Sequence, residues 1–311
     1  MTIDKMEEHW TDRTELLLGS DKMQRLRDAH VLVVGTGGVG AYAAEMLCRA
    51  GIGEMTIVDA DTVQPTNINR QLPATHATLG RPKVEVLAER FRDINPDIKL
   101  HVLPAYLTEE DAAPLLSGVQ ECRSAGVQTN ANSGVQECRS AGVQTNVMTA
   151  ANDNRAEELS SVLLSEAITP ELPNSSNRID FIVDAIDTIA PKCALITEAL
   201  RRRIPIVSSM GAGAKSDITQ IRFADLWDTY HCGLAKAVRT RLKKAGIRQP
   251  VPVVFSTEQA DRRAVITIEG EQNKKSTTGT ISYMPAVFGC YLAEYVIRKI
   301  TMNDERLTIN D

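Results

Sequence analysis

The sequence predicts an α/β protein built on a doubly wound, mostly parallel sheet with helices on both faces, and three observations carry that reading. His30–Gly35 (HVLVVG) is a continuous apolar run, the pattern of a strand buried on both faces. Gly35, Gly37 and Gly40 then fall at G-x-G-x-x-G spacing, with Gly38 between them, and open a run of helix formers, AYAAEMLCRA, at residues 41–50. A second apolar strand, Met55–Asp61, follows at once, so strand, turn, helix and strand fit within about 30 residues, as a Rossmann-like sheet requires.

The remaining elements follow in order. Residues 1–29 form a helical lead-in around Leu16–Leu18. Lys83–Ile94 carries Val84, Leu87, Ala88 and Phe91 at helical spacing and stops at Asn95-Pro96. Ile98–Leu103, Arg178–Asp187 and Ile204–Ser209 read as three further strands, with a helix over 194–203 between the last two. The main domain is thus expected over 30–116 and 178–311, ending in a C-terminal α/β extension. Between its halves the unit SGVQECRSAGVQTN stands at 117 and again, unchanged, at 133. Valine is the only large apolar residue in each GVQ repeat, so burial offsets little of the ordering entropy. A flexible insertion over 117–177 is the expectation, with a short β-rich lobe as the alternative.

Composition narrows the function. The chain has 311 residues, 43% of them hydrophobic, with a net charge of −5. Coating nucleic acid by bulk electrostatics is disfavoured, although a local basic patch is compatible. The six cysteines form no CxxC pair, so neither a disulfide framework nor a four-cysteine zinc site is expected, and no zinc is assigned. An acidic, polar N-terminus does not read as a secretory signal, and the cytoplasm is the expected compartment.

The glycine turn brings backbone N–H groups close to a phosphate at a helix N-terminus, and Asp59 ends the next strand where a carboxylate would accept ribose hydroxyls. This much says only nucleotide. The polar cluster that follows, Asp61, Asn67, Arg70, Gln71 and then Gly80-Arg81-Pro82-Lys83, exceeds what a dinucleotide needs. Arg and Lys suit the oxygens of a triphosphate.

The series of glycine loop, D-x-D, N-x-x-R-Q, G-x-P-K and D-x-x-D (Asp184–Asp187) resembles the E1-like adenylating superfamily, which activates carboxylates as acyl-adenylates. The resemblance implies ATP along Gly35, Gly37, Gly38 and Gly40, with Asp59 on the ribose. It implies Asn67, Arg70, Gln71 and Lys83 at the triphosphate and Mg2+ at Asp187. It also implies that Arg13 reaches a partner's ATP across a homodimer, the alternative being a solvated arginine. INPDIKL at 94–100, VVFSTE at 253–258 and the apolar, glycine-bearing segment 284–300 are similar to the tRNA threonylcarbamoyladenosine dehydratases. That likeness implies ATP-dependent cyclisation of the modified adenosine in tRNA, and leaves sulfur-transfer or electron-transfer partner proteins open.

Candidate tRNA contacts are Arg201, Arg202 and Arg203, then Arg239, Arg241, Lys243, Lys244 and Arg248, against the plain reading of solvated faces. Cys232 follows His231 where sulfur-carrier enzymes place a reactive cysteine; a packed thiol is preferred, because ring closure within one substrate needs no covalent enzyme step. The segment 284–300 is read as a dimer or core face rather than a membrane anchor. Activation of a sulfur carrier's C-terminal carboxylate, a nucleotide sensor and an NAD-dependent oxidoreductase remain the competing functions.

Overall fold

The computed structural model describes residues 8–118, 178–267 and 276–302. Its contacts divide the chain into residues 1–117 with 178–311, and residues 118–177. The repeat insertion expected at 117–177 therefore lies, from residue 119 onward, outside the described residues.

Two short helices lead in, α1 (Asp12–Leu18) and α2 (Ser20–Asp28). Then come β1 (His30–Val34), α3 (Gly40–Arg49), β2 (Glu54–Val58), α4 (Lys83–Ile94), β3 (Lys99–Leu103) and α5 (Ala112–Gly118). After the insertion follow β4 (Phe181–Asp184), α6 (Ile189–Arg202), β5 (Ile206–Ser209), β6 (Ile221–Asp225), α7 (Gly233–Lys244) and β7 (Pro252–Ser256). A small antiparallel pair, β8 (Val265–Thr267) and β9 (Ser276–Thr278), precedes α8 (Tyr283–Thr301).

The main sheet has seven strands in the order β3-β2-β1-β4-β5-β7-β6. All neighbours are parallel except β6, which runs antiparallel to β7 and closes one edge. Strands β1, β2, β4 and β5 are buried at every residue, which is what continuous apolar runs dictate in a sheet covered on both faces. The edge strand β3 is only partly covered. Because successive β1 residues face opposite ways, Val31 and Val33 enter a core with Leu47 of α3 and with Met284, Phe288, Leu292 and Val296 of α8.

Gly289 lets those two helices meet: a Cβ there would stand 2.5 Å from the Val39 carbonyl oxygen and 2.7 Å from Tyr42 Cβ. The apolar segment 284–300 thus spends its main face on the protein's own core. Burying Phe288 completely contributes about 1.5–3 kcal/mol. No helix among the described residues is long and apolar enough to cross a membrane.

The strand expected over 178–187 is shorter than its apolar pattern, and the following helix starts five residues early. Asp184 is the reason. Its carboxylate accepts from the Ile186 backbone N–H at 3.1 Å, which turns the chain out of the sheet before Asp187.

Candidate nucleotide site

The loop between β1 and α3 sits at the carboxyl ends of the strands, where an open α/β sheet offers a crevice. Gly35 has φ +87°, and a Cβ there would lie 2.8 Å from the Ala185 carbonyl oxygen. At Gly40 a Cβ would overlap the Gly35 carbonyl oxygen at 1.8 Å. These two glycines shape the turn. Gly37 meets only Gln71 Nε2, at 3.8 Å, so its face is the open one, while Gly38 packs toward Pro285. Backbone N–H groups at the start of α3 lack partners within the helix, which makes this a natural phosphate seat.

Asp59 ties the loop to β2. Its Oδ2 accepts from the backbone N–H and hydroxyl of Thr36 at 2.7 and 3.1 Å, and its Oδ1 accepts from the Asp61 N–H at 2.8 Å. The residue read as the ribose acid thus also fixes the glycine turn.

Lys83, at the start of α4, is buried and donates from Nζ to Asp61 Oδ2 at 2.7 Å. The Tyr106 hydroxyl donates to the other oxygen, Asp61 Oδ1, at 2.9 Å, and that bond raises the tyrosine's pKa. Tyr106 lies beyond β3 in a segment with no motif, so only the fold could reveal it.

Arg70 donates to the Thr66 carbonyl and to Asn69 Oδ1. Burial lowers its pKa and the field of Asp187 opposes that, which places the exposed Asp187 carboxylate within electrostatic reach of the guanidinium. Asn67 is buried, and its Oδ1 accepts from the Gln64 N–H at 3.0 Å, so this side of it serves the turn that presents Arg70. Gln71 Oε1 is buried without a hydrogen-bond partner among the described residues. A buried amide oxygen without a partner beside an open glycine face fits a site whose ligand supplies donors.

Sequence reasoning missed Lys192. Its ammonium lies 2.9 Å from Asp184 Oδ2, with both side chains fully buried, and it also donates to the Ile186 carbonyl. Ser208 donates to the same carboxylate at 2.6 Å. This network braces the turn that carries Asp187.

The remaining predicted residues divide. Arg13 stands exposed on α1 and pairs with no described residue, so the site within one chain does not include it. Arg202 pairs with Glu198 and donates to the Ala113 carbonyl and Ser117 Oγ; Arg201 also pairs with Glu198. Arg239 is locked onto Thr229 and the Leu226 carbonyl. Arg202 and Arg239 therefore each brace the fold through bonds to nearby acceptors. Arg203, Lys243, Lys244 and Arg248 are exposed, and Arg241 pairs with Glu109. Lys236, Arg241 and Lys244 line a groove of about 440 Å³ with Ile189, two residues beyond Asp187.

Cys232 is buried and caps α7, its Sγ accepting from the N–H groups of Ala235 and Gly211 at 3.5 and 3.4 Å. His231 was its only basic neighbour in sequence. The fold adds Lys215, whose pKa burial pulls down against the opposing pull of Cys232 and Glu258.

A mostly parallel sheet, a glycine turn at the strand ends and the acids and bases beside it define a nucleotide-binding α/β protein. The comparisons then specify it. A model of the ThiF family matches residues 11–122 and 131–310, and the chain belongs to that family. It is 30% identical to the tRNA threonylcarbamoyladenosine dehydratase of Bacillus subtilis, over 97% of this chain and 99% of the relative. It is 31% identical to the Escherichia coli protein of the same name, over 94% of each. The crystal structure of Escherichia coli tRNA N6-threonylcarbamoyladenosine dehydratase in complex with ATP superimposes with a TM-score of 0.68 at 29% identity, covering 96% of this chain and 97% of that one.

Proposed function

We propose that this chain is an ATP-dependent tRNA threonylcarbamoyladenosine dehydratase. The observation that carries the reading is the buried Lys83 paired with Asp61, together with Arg70 in the field of Asp187, in a chain similar over its whole length to dehydratases of that name. The threonyl carboxylate attacks the α-phosphorus of ATP and pyrophosphate leaves. The ureido group of the same nucleoside then attacks the activated carbonyl, AMP leaves, and the adenosine has lost one water.

Gly35, Gly38 and Gly40 shape the cradle, while Gly37 admits the phosphates. Asp59 orients the ribose as it holds Thr36. Asn67 and Gln71 direct Arg70 and the phosphate edge. Arg70 and Lys83 face the charge that grows on the phosphate oxygens, where fixed donors act most strongly. Asp187 is an exposed hard-oxygen donor that fits Mg2+, and the ion when bound supplies neutralisation of phosphate charge. Ring closure draws on proximity within one substrate.

The groove lined by Lys236, Arg241 and Lys244 is the proposed path of the tRNA backbone, and Lys243 and Arg248 are exposed in the same stretch of chain. A homodimer is proposed through α1, where Leu16 and Leu17 are 89% and 82% exposed next to Arg13, in keeping with an arginine offered to a second copy.

The test is incubation with ATP, Mg2+ and threonylcarbamoyl-modified tRNA, followed by digestion and mass measurement of the nucleosides. Loss of one water from the modified adenosine supports the reading. Unchanged nucleosides with adenylation of a carrier protein instead would transfer the chain to the sulfur-carrier branch.

A further inference from the structure

The opposite end of the sheet holds a second cluster of chemistry that the proposed reaction does not use. His30 opens β1 and Glu54 opens β2, and the two are paired in register. On the next strand His101 pairs with Thr56, two residues along β2 from Glu54. With side chains alternating along each strand, all four residues project from one face of the sheet. Among the described residues, His30, Glu54 and His101 are the group that brings three nitrogen or oxygen ligand atoms within 4.8 Å of one another.

Two features separate this cluster from an ordinary hydrogen-bond network. His30 is 4% exposed, yet among the described residues its Nδ1 has no partner at good hydrogen-bond geometry. That nitrogen lies 3.8 Å from Glu54 Oε1, too far for a hydrogen bond. Its other ring nitrogen, Nε2, is fixed by Thr56 Oγ1 at 2.8 Å, which holds the ring in place with Nδ1 directed at the carboxylate. A ligand histidine held through its second nitrogen is the usual arrangement at a metal.

On the far side of the carboxylate, His101 Nε2 stands 2.8 Å from the same Glu54 Oε1. Ligand atoms around a tetrahedral zinc ion are about 3.3 Å apart, as bond lengths near 2.0–2.1 Å require. The two separations fall on either side of that value, so shifts of about half an ångström would admit an ion.

We propose that His30, Glu54 and His101 form a binding site for a divalent transition metal of the zinc class, about 16 Å along β1 from the glycine turn. Two imidazoles and a carboxylate suit such an ion, leaving its fourth position to water, and exclude the all-oxygen preference of Mg2+ and Ca2+. His30 Nδ1 and Glu54 Oε1 donate lone pairs directly. His101 binds through Nε2 once its proton has moved to Nδ1. The missing CxxC pairs exclude a four-cysteine centre and do not bear on this donor set.

The test uses the full chain, stripped with a chelator and free of nucleotide, titrated with Zn2+ against a chromophoric competitor. One tight equivalent is expected. Glu54→Gln and His101→Gln, the latter on the partly covered edge strand, should each weaken it more than about 100-fold while circular dichroism stays unchanged. Thr56→Val, which keeps all three ligands but frees the His30 ring, should weaken it about 10-fold. X-ray absorption should show two imidazoles in the first shell. No tight equivalent in the parent, or full affinity in both folded ligand variants, would overturn the proposal. So would loss of the equivalent in Asp187→Asn, because the ion would then belong to the nucleotide site.

Discussion

The Lys192 ammonium and the Asp184 carboxylate form an ion pair 2.9 Å long in which neither side chain has any solvent exposure. Asp184 also accepts from Ser208 and from the Ile186 N–H, so the pair is the centre of a saturated network. It stands directly beneath the turn that delivers Asp187. Removing one partner from such a pair leaves a buried, uncompensated charge.

Lys192→Met should therefore destabilise the protein by about 3–5 kcal/mol, read as a lower midpoint in denaturant unfolding. Adding Asp184→Asn in the same chain should recover part of the loss, since the remaining amide carries no charge. ATP affinity should fall in the single variant, because the Asp187 turn loses its brace. A single variant as stable as the parent would contradict the network.

The glycines of the turn should separate by what surrounds them. Gly40→Ala forces a Cβ to 1.8 Å from the Gly35 carbonyl oxygen and should lower thermal stability and nucleotide binding together. Gly37→Ala meets nothing closer than 3.8 Å and should keep its melting temperature. It should still weaken ATP binding in calorimetry, as its methyl occupies the face where the phosphates approach. Equal ATP affinity in Gly37→Ala and parent would place the nucleotide elsewhere.

Lys83 offers a sharper test of the chemistry. Its Nζ is held by Asp61 at the mouth of the site, and the side chain is buried. Lys83→Met should reduce ATP–pyrophosphate exchange by roughly 100-fold or more, the scale of losing one fixed donor to developing charge. Its unfolding midpoint should move far less than that of Lys192→Met, because Asp61 keeps its bond from Tyr106 and access to water.

Much of this was legible in the sequence. The strands β1 and β2, helix α4 and the glycine turn follow from local pattern, since burial on both faces leaves a continuous apolar signature. The order of Asp59, Arg70, Lys83 and Asp187 was likewise visible as short motifs in series, although only Asp59 and Asp187 closely follow strands. Tyr106 and Lys192 were not visible. Each acts on a partner brought near by the fold: Tyr106 reaches Asp61 from the segment after the adjacent strand, and Lys192 reaches back to Asp184 from a helix whose start was placed too late. The fold-bracing bonds of Arg202 and Arg239 were hidden for a related reason, as charge in a sequence does not reveal whether a carboxylate or carbonyl waits beside it.

Glu45, which joins α3 to α4, should contribute to acid sensitivity. Burial raises its pKa, but hydrogen bonds from Arg90 and Arg49 outweigh that and hold it below the ordinary value near 4.5. A group depressed on folding contributes stability that is present above its unfolded pKa and lost as pH falls through the folded one. Glu45→Gln should thus melt lower than the parent at pH 7, and the gap should close as pH drops below about 4.5. A gap that is constant from pH 7 to pH 3 would remove the ion pairs from the account.

Cys232 separates a covalent from a non-covalent second step. Its surroundings, two backbone N–H donors at a helix start and Lys215 nearby, are those that can activate a thiol. The same contacts describe an N-cap, and His231 is turned to other work, with Nδ1 at 3.0 Å from the Thr257 carbonyl. The ureido nucleophile is already tethered to the activated carbonyl, so a thioester would add a step without shortening the path. Cys232→Ser keeps an acceptor at the cap, and both its stability and its turnover should stay near those of the parent. Cys232→Ala should lose about 0.5–2 kcal/mol of stability for the missing cap yet still cyclise the modified adenosine at a comparable rate. If the folded alanine and serine variants both form acyl-adenylate, detected as pyrophosphate release, but accumulate no dehydrated nucleoside, then the thiol carries the acyl group and the direct ring closure is wrong.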